Sequence, residues 1–405
     1  MATNKTDKVL NVPTLRFPGF TDEWEKMSIG SIASKVGSGS TPRGGSAIYE
    51  EKGRPFVRSQ NIGNGFLLLD DIVHISEEIH NQQKNTEIIE QDVMLNITGA
   101  SIGRCAIADT RIAGGNVNQH VCIIRSTSLN PIFLSNYILS HRGQKQIESF
   151  QAGGNREGLN FEQVRSIRLN VPQRKEQDKI SSLLTLLDER IALQSKLIDR
   201  LKSLMDGIVV KHWKGVEKGK YCLSDLGEAF SVMNLSKDDL TEDGKYCIIY
   251  GELFTTYDAI IDNVVSHTDK VDRLTLSGDN DLLFPASTTV NAYSLISPSA
   301  IIKRDVVLGG DMFGIHISPE HSAEYISLII NAIYRNKLSK YAKGSTIIHL
   351  HYSDIKNVQI ELPELEMQLY LVGVVKRLRA KLSIETDYLT ALNNVKQSLL
   401  SAMFI

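Results

Sequence analysis

Two stretches of this chain follow the same plan about 190 residues apart, and each closes with a long helix-patterned segment. Such a plan points away from one layered core and toward two copies of a unit, each carrying its own rod. Four blocks carry the repeat. The only tryptophans, Trp24 and Trp213, are each followed by a short apolar-spaced stretch, Met27–Ile32 and Tyr221–Leu226. Next, Asp92–Thr98 matches Asp281–Ser287, and Gly158–Ile180 lies over His349–Leu371. In the last block only Leu159/Leu350, Pro172/Pro363 and Gln177/Gln368 are identical. The apolar pattern nevertheless agrees through Phe161/Tyr352, Val164/Ile355, Ile167/Val358 and Leu169/Ile360. Offsets that drift between 189 and 194 mean small loop insertions between matched cores.

Pro172 and Pro363 each close a short alternating segment that reads as a strand followed by a break. From Pro172 to His212, and from Pro363 to the C-terminus, there is no further proline and almost no glycine. Apolar residues then recur every three or four positions: Ile180, Leu184, Leu187, Ile191, Gln194, Ile198, Leu201, Met205 and Ile208. The second copy gives Leu371, Val375, Leu378, Leu382, Glu385, Leu389, Leu392, Lys396 and Leu399. This is the pattern of a coiled-coil seam. Gln194 and Glu385 fall at the centre of their seams, where a polar layer costs stability but fixes register. A two-fold duplicated unit predicts that the helices run antiparallel, with Lys396 opposite Leu184. Between the helices, Val/Ile alternation and Gly/Asn/Ser turns predict mixed segments of short strands with a few helices, such as Pro131–Ser140 and Ser322–Asn336. The fold class is therefore α+β.

Composition is that of an ordinary globular protein, 42% hydrophobic and 23% charged. The opening residues lack an apolar stretch like that of a signal peptide, and no run approaches the roughly 20 apolar residues that span a bilayer, so a cytoplasmic, membrane-free protein is expected. The four cysteines are scattered, which argues against a zinc site and leaves no metal expected. Net charge is −2 but unevenly placed: residues 1–212 carry 26 Lys/Arg against 23 Asp/Glu, and 213–405 carry 19 against 24. Local basic strips, Arg111–Arg168 and Tyr325–Ser353, are what phosphate contacts need.

Signatures of chemistry are missing. No two prolines are adjacent, so the Pro-Pro-aromatic loop of DNA amino-methyltransferases cannot be present. There is no G-x-x-x-x-G-K-[ST] phosphate cradle. In Gly37–Pro42, proline stands where a dinucleotide fingerprint needs its third glycine. No proline precedes an aspartate, which removes the usual nuclease pattern, and no histidine shows triad spacing. No catalytic residue is expected.

The whole layout resembles the specificity subunit of type I restriction-modification enzymes. The resemblance is carried by Val12–Trp24, Gly39–Pro42, Pro55–Ile62, Asp92–Arg104, Asn118–Val121 and Gly153–Asn160, and in the second repeat by Gly278–Ser287 and Leu308–Asp311. It implies an N-terminal segment (1–24), target-recognition domains at 25–172 and 213–362, and spacer helices at 173–212 and 363–405. Each domain would read one half of a bipartite, asymmetric site in double-stranded DNA. The helices would space the domains and dock two methyltransferase subunits, with restriction subunits joining them. S-adenosylmethionine, ATP and Mg would belong to those partners, and this chain would hold no cofactor. The second repeat departs at its loop, with Lys343–His349 in place of Gly153–Leu159, so its half-site should differ.

Arg bridges guanine O6/N7, and Asn or Gln bridges adenine N6/N7. Candidate readers in the first repeat are Arg43, Arg58, Gln60, Asn61, Asn64, Arg104, Asn118, Gln119 and Arg156, in glycine-bearing segments. In the second they are Thr288, Thr289, Asn291, Lys343, Ser345, Thr346 and His349. A competing reading is a coiled-coil scaffold that binds proteins and meets DNA only incidentally.

Overall fold

In a computed structural model, residues 10–151, 158–233 and 235–405 are described. They form two compact units: unit 1 holds residues up to 195 together with 387–405, and unit 2 holds 196–386.

Unit 1 is built on an antiparallel sheet in the order Lys35–Ser38, Val121–Arg125, Val93–Asn96, Cys105–Ile107. A second sheet sets Arg54–Val57 between Val73–Ile75 and a parallel neighbour, Asn116–Val117. Helices α1 (Pro131–Leu139) and α2 (His141–Ser149) follow. Asn130 starts α1 by accepting from the Ile132 and Phe133 amides, with Pro131 at the first helical position. Glu25–Ser28 then pairs with Arg168–Val171, closing the domain just before the long helix α3 (Arg174–Gly215).

Unit 2 repeats this topology with additions. Its first sheet runs Gly227–Ser231, Met312–Ile317, Asp281–Pro285, Ser299–Ile301, and gains Ile260–Ile261 at the edge. Its second sheet sets Lys245–Ile249 between Ser266–Thr268 and parallel Val307–Gly309, and gains Thr275–Leu276. Helix α4 (Ala323–Ile329) runs into a wider turn over Ile330–Tyr334 and the short helix Arg335–Ser339. The pair Gly219–Cys222 and Gln359–Leu362 closes the unit before helix α5 (Leu365–Met403).

The identities retained between the repeats have a physical meaning. The Gln177 amide donates to Pro172 O at 2.9 Å and accepts from the Asn130 amide at 2.9 Å. Gln368 does the same with Pro363 O (2.8 Å) and the Ser322 amide (2.9 Å). Each glutamine thereby locks the start of a long helix to the domain helix beside it. The Leu159 amide reaches Ile97 O, and the Leu350 amide reaches Ala286 O. Buried Asp92 grips Arg125 at 2.7 Å where buried Asp281 meets His316 Nδ1 at 2.6 Å. The tryptophans are not equivalent, contrary to the match read from sequence. Trp24 precedes the first strand and packs on Phe133, whereas Trp213 sits in the last turn of α3 against Tyr334. The true counterpart of Phe404 on Phe133 is His212 on Tyr325, because each is the end of a long helix entering a domain.

Every predicted seam residue on α3 and α5 is buried or half-buried. In unit 1 the helices run antiparallel. Ile180 and Leu184 share a cluster with Leu400, Met403 and Phe404, and further along α3 Arg190 lies over the Tyr388 ring at 5.5 Å. The Lys396 ammonium pairs with Asp188 at 2.5 Å, one turn along α3 from Leu184. In unit 2, Val209 packs with Leu371, Val372 and Val375. The opposite face of α3 leaves Leu186, Leu193, Leu197 and Leu204 exposed, and α5 leaves Ile384, Tyr388 and Val395. No helix among the described residues is long and apolar enough to cross a membrane.

The opening segment laces unit 1 together. Arg16 makes a bidentate pair with buried Glu176 at 2.7 and 2.8 Å, and the Leu15 amide reaches Ala402 O at 3.0 Å.

Candidate nucleic-acid interface

In unit 1 the turns that follow the strands meet at one end of the two sheets. The Thr41 amide donates to Gln119 Oε1 at 2.9 Å, Gln119 Nε2 lies 3.1 Å from His120 Nε2, and His120 Nδ1 lies 2.5 Å from Thr98 Oγ1. Asn96 ties the Ser59 carbonyl to the Ser101 hydroxyl at 2.8 and 3.1 Å. Four separate loops are thereby held as one surface. Gly39 permits this closure, since a Cβ there would stand 1.7 Å from Val117 O.

Of the expected readers, Arg43, Asn64 and Arg104 are exposed on these loops. Arg58, Gln60 and Asn61 converge on one residue that sequence reasoning missed, Asp71. Arg58 Nη2 donates to Asp71 O at 2.7 Å and lies 3.4 Å from its carboxylate. Gln60 Nε2 donates to the same carboxylate, and Asn61 Nδ2 does so at 2.8 Å. Two expectations need correction. Asn61 is fully buried and also accepts from the Arg58 amide, so it shapes the loop and does not face outward. Asn118, also buried, accepts from the His120 amide and positions that imidazole. Arg156 lies outside the described residues. His120 and Thr98 were missed too, although both stand in runs that carry the resemblance.

In unit 2, Ser287–Thr288 pairs with Ile348–His349. This brings Thr288 and Thr289 beside a hairpin closed by Lys343 and His349, whose backbones bond both ways at 2.9 and 2.7 Å. Gly344 turns it at φ +127°, and Ser345 and Thr346 are exposed at its tip. A cleft of about 460 Å³ lies under the hairpin, lined by Lys343, Gly344, His349, His351 and Asp354. Lys343 Nζ sits 2.5 Å from Asp354, whose carboxyl it holds below the usual range. Asn291 is exposed, and its Oδ1 caps a short helix by accepting from the Ser294 amide at 2.8 Å. Tyr250, at the end of strand Lys245–Ile249 as Arg58 is at the end of Arg54–Val57, and exposed Asp311 were both missed.

No group of His, Cys, Asp or Glu among the described residues is arranged to hold a metal ion. Burial pushes the Cys105 and Cys122 thiols up to about 12 and Cys247 up to about 11, which removes thiolate character.

The family described as "Type I restriction modification DNA specificity domain" matches residues 21–203 and again 215–394. The chain belongs to that family. Its two matches coincide with the two copies of the repeat, and sequence recognition in DNA is the role of this family. A similar protein is the putative type I restriction enzyme MjaX specificity subunit of Methanocaldococcus jannaschii. It is 21% identical over 388 residues, covering 89% of this chain and 87% of the relative. Among solved structures, the type I restriction-modification S subunit from M. genitalium aligns over 97% of this chain and 99% of its own, with TM-score 0.56 and 15% identity. A chain from work on complex assembly and conformational transition of the type I R-M system aligns with TM-score 0.59 and 14% identity, over 95% and 98%. These structures share the fold of this specificity subunit.

Proposed function

We propose that this chain reads a bipartite, asymmetric double-stranded DNA sequence on behalf of a type I restriction-modification complex and itself catalyses nothing. The observation that carries this reading is a duplicated frame with unlike loops. At one end of unit 1 stand Arg43, Asn64, Arg104 and the Asp71-centred group, and in unit 2 stand Thr288, Thr289 and the Lys343–His349 hairpin. Identical loops would read a symmetric site. Arg43 and Arg104 suit guanine edges or phosphate, and the hydroxyls of the second copy suit either base type.

The long helices would space the two readers and dock two methyltransferase subunits, which bring S-adenosylmethionine, with restriction subunits supplying ATP- and Mg-dependent steps. The exposed leucines of α3, at spacings of seven, four and seven, support a partner there. Each such leucine, once covered, contributes about 1.5–3 kcal/mol. That stripe also favours the scaffold reading, and salt separates the two. A reader loses DNA affinity steeply with salt yet keeps a preferred duplex, and a scaffold shows neither. The direct test is methylome sequencing of a host with and without the gene. Loss of one asymmetric bipartite motif is the expected result, and an unchanged methylome in a host that carries the partner subunits overturns the proposal.

A further inference from the structure

Away from the reading loops, unit 1 carries an open cleft of about 930 Å³ where Glu25–Ser28 and Arg168–Val171 pair beside α2. Its charged side chains are Lys26, Arg142, Lys145 and Arg168, and among the described residues no Asp or Glu lines it. The floor is already satisfied. The Tyr137 hydroxyl donates to Arg168 O at 2.6 Å, while Gln146 donates to both oxygens and accepts from the Arg168 amide at 2.9 Å. The cations are not spent in this way. Arg142 uses only Nε, on Phe404 O at 3.1 Å, and among the described residues Lys26, Lys145 and Arg168 form no side-chain ion pair.

The repeat supplies an internal control. The same strand register recurs in unit 2, where Cys222 faces Gln359 as Ser28 faces Arg168, and Lys220 faces Glu361 as Lys26 faces Asn170. The capping pair Ser28/Ser31 becomes Cys222/Asp225. Lys337, on the neighbouring helix, is tied to Gln359 O at 2.7 Å. The fold is therefore built equally well with Gln for Arg168 and with acids for Asn170 and Ser31. The positive charge of the first cleft is not a structural requirement.

We propose that this cleft binds phosphate, supplied by the DNA backbone flanking the half-site that the first domain reads. This rests on the DNA-reading function above. Clustered Lys and Arg with no Asp or Glu side chain among them, beside the Ser28 hydroxyl, form the donor set that a phosphodiester needs, while the Ser31 and Ser149 hydroxyls are already donated to Ser28 O and Gln146 O. Binding here gives affinity without sequence information, and only on one side of the asymmetric target.

The test uses the full chain and duplexes bearing its methylated motif. Extending the duplex by roughly one turn (about 10 base pairs) beyond the first half-site should strengthen binding, and the same extension beyond the second should not. The triple change Lys26→Gln, Lys145→Gln, Arg168→Gln should abolish that gain and lower the salt slope by about one for each phosphate no longer neutralised. It should weaken target and non-target alike and leave the motif unchanged. Lys145→Glu alone, on the exposed face of α2, should act in the same direction without touching a strand. Equal dependence on both flanks, or an unchanged salt slope, overturns the proposal. Unchanged DNA binding with loss of partner co-purification would assign the cleft to an acidic protein segment. Competition by free nucleotide without flank dependence would assign it to a small phosphate ligand. If the wild-type chain prefers no duplex at all, the failure lies in the DNA-reading function and not in the cleft.

Discussion

At the scale of residues, the informative group is Asp71, because one carboxylate governs three side chains expected to read DNA. An acid on a DNA-facing surface opposes phosphate, yet it holds the Arg58 fork and the Gln60 amide in one orientation. Asp71→Asn should therefore raise affinity for unrelated DNA while eroding discrimination, by about 1–3 kcal/mol if Arg58 bridges a base. Competition binding between target and scrambled duplexes measures both, and a uniform loss on every sequence would make Asp71 merely structural. The exposure of Arg43, Asn64 and Arg104 was legible because glycine-bearing loops expose polar residues. Sequence reasoning placed Asn61 and Asn118 on the outer surface although both are buried, since a turn asparagine looks the same whether it faces outward or its own backbone. Asp71 left no trace, because its partners lie ten to thirteen positions away with no periodicity to link them. A second residue-scale prediction concerns pH. Burial, in the first place, lowers the His321 imidazole from its ordinary 6.5. Gln368 also turns its amide nitrogen toward Nδ1 at 3.2 Å, a geometry suited to the neutral ring. A group depressed in the folded state contributes fully above its unfolded value, and that contribution is lost as pH falls below about 6.5. The melting temperature of the full chain should drop between pH 7.5 and 5.5, and less so in His321→Asn. Equal drops in both would remove His321 as the cause.

At the scale of elements, the long helices were the most legible part, because a heptad seam is a property of sequence alone. All of its positions do turn inward. The ion pair across the seam was less legible: the Lys396 ammonium reaches Asp188, since a lysine stem can extend along a helix to a carboxylate. The edge strands added in unit 2 were invisible, being only two residues each. The Lys396–Asp188 pair gives an asymmetric prediction. The lysine side chain is 13% exposed and its partner 40%, so the two ends are unequally solvated. Asp188→Asn leaves a largely buried ammonium without its counter-ion and should cost about 1–3 kcal/mol, below the range for fully buried pairs. Lys396→Met keeps the stem's packing and leaves an acid that water can reach, so it should be neutral or slightly stabilising. Denaturant titration of the two variants compares them, and equal losses would mean that the pair itself, and not the buried charge, sets the energy.

At the scale of the whole molecule, the duplication makes recognition modular. Each unit closes its own strand pair before its long helix, Glu25–Ser28 with Arg168–Val171 and Gly219–Cys222 with Gln359–Leu362. A recognition domain therefore joins the rest of the chain through two neighbouring strands, and cutting there leaves both sheets intact. Replacing residues 25–172 by the matching domain of another family member should change one half of the methylated motif and leave the other as it was. The graft must keep Pro172 and Gln177, because the glutamine fastens α3 to the domain through the Asn130 amide. It must also suit the opening segment, where Trp24 packs on Phe133 and Asn11 reaches Asn170 at 2.9 Å. Methyl transfer should appear only when the methyltransferase partner is added, whichever domain is present, since no catalytic signature stands in this sequence. The methylome of a host carrying the graft reads the outcome directly. A motif altered in both halves would mean that the two domains read DNA jointly. A motif altered in neither would move sequence reading out of residues 25–172.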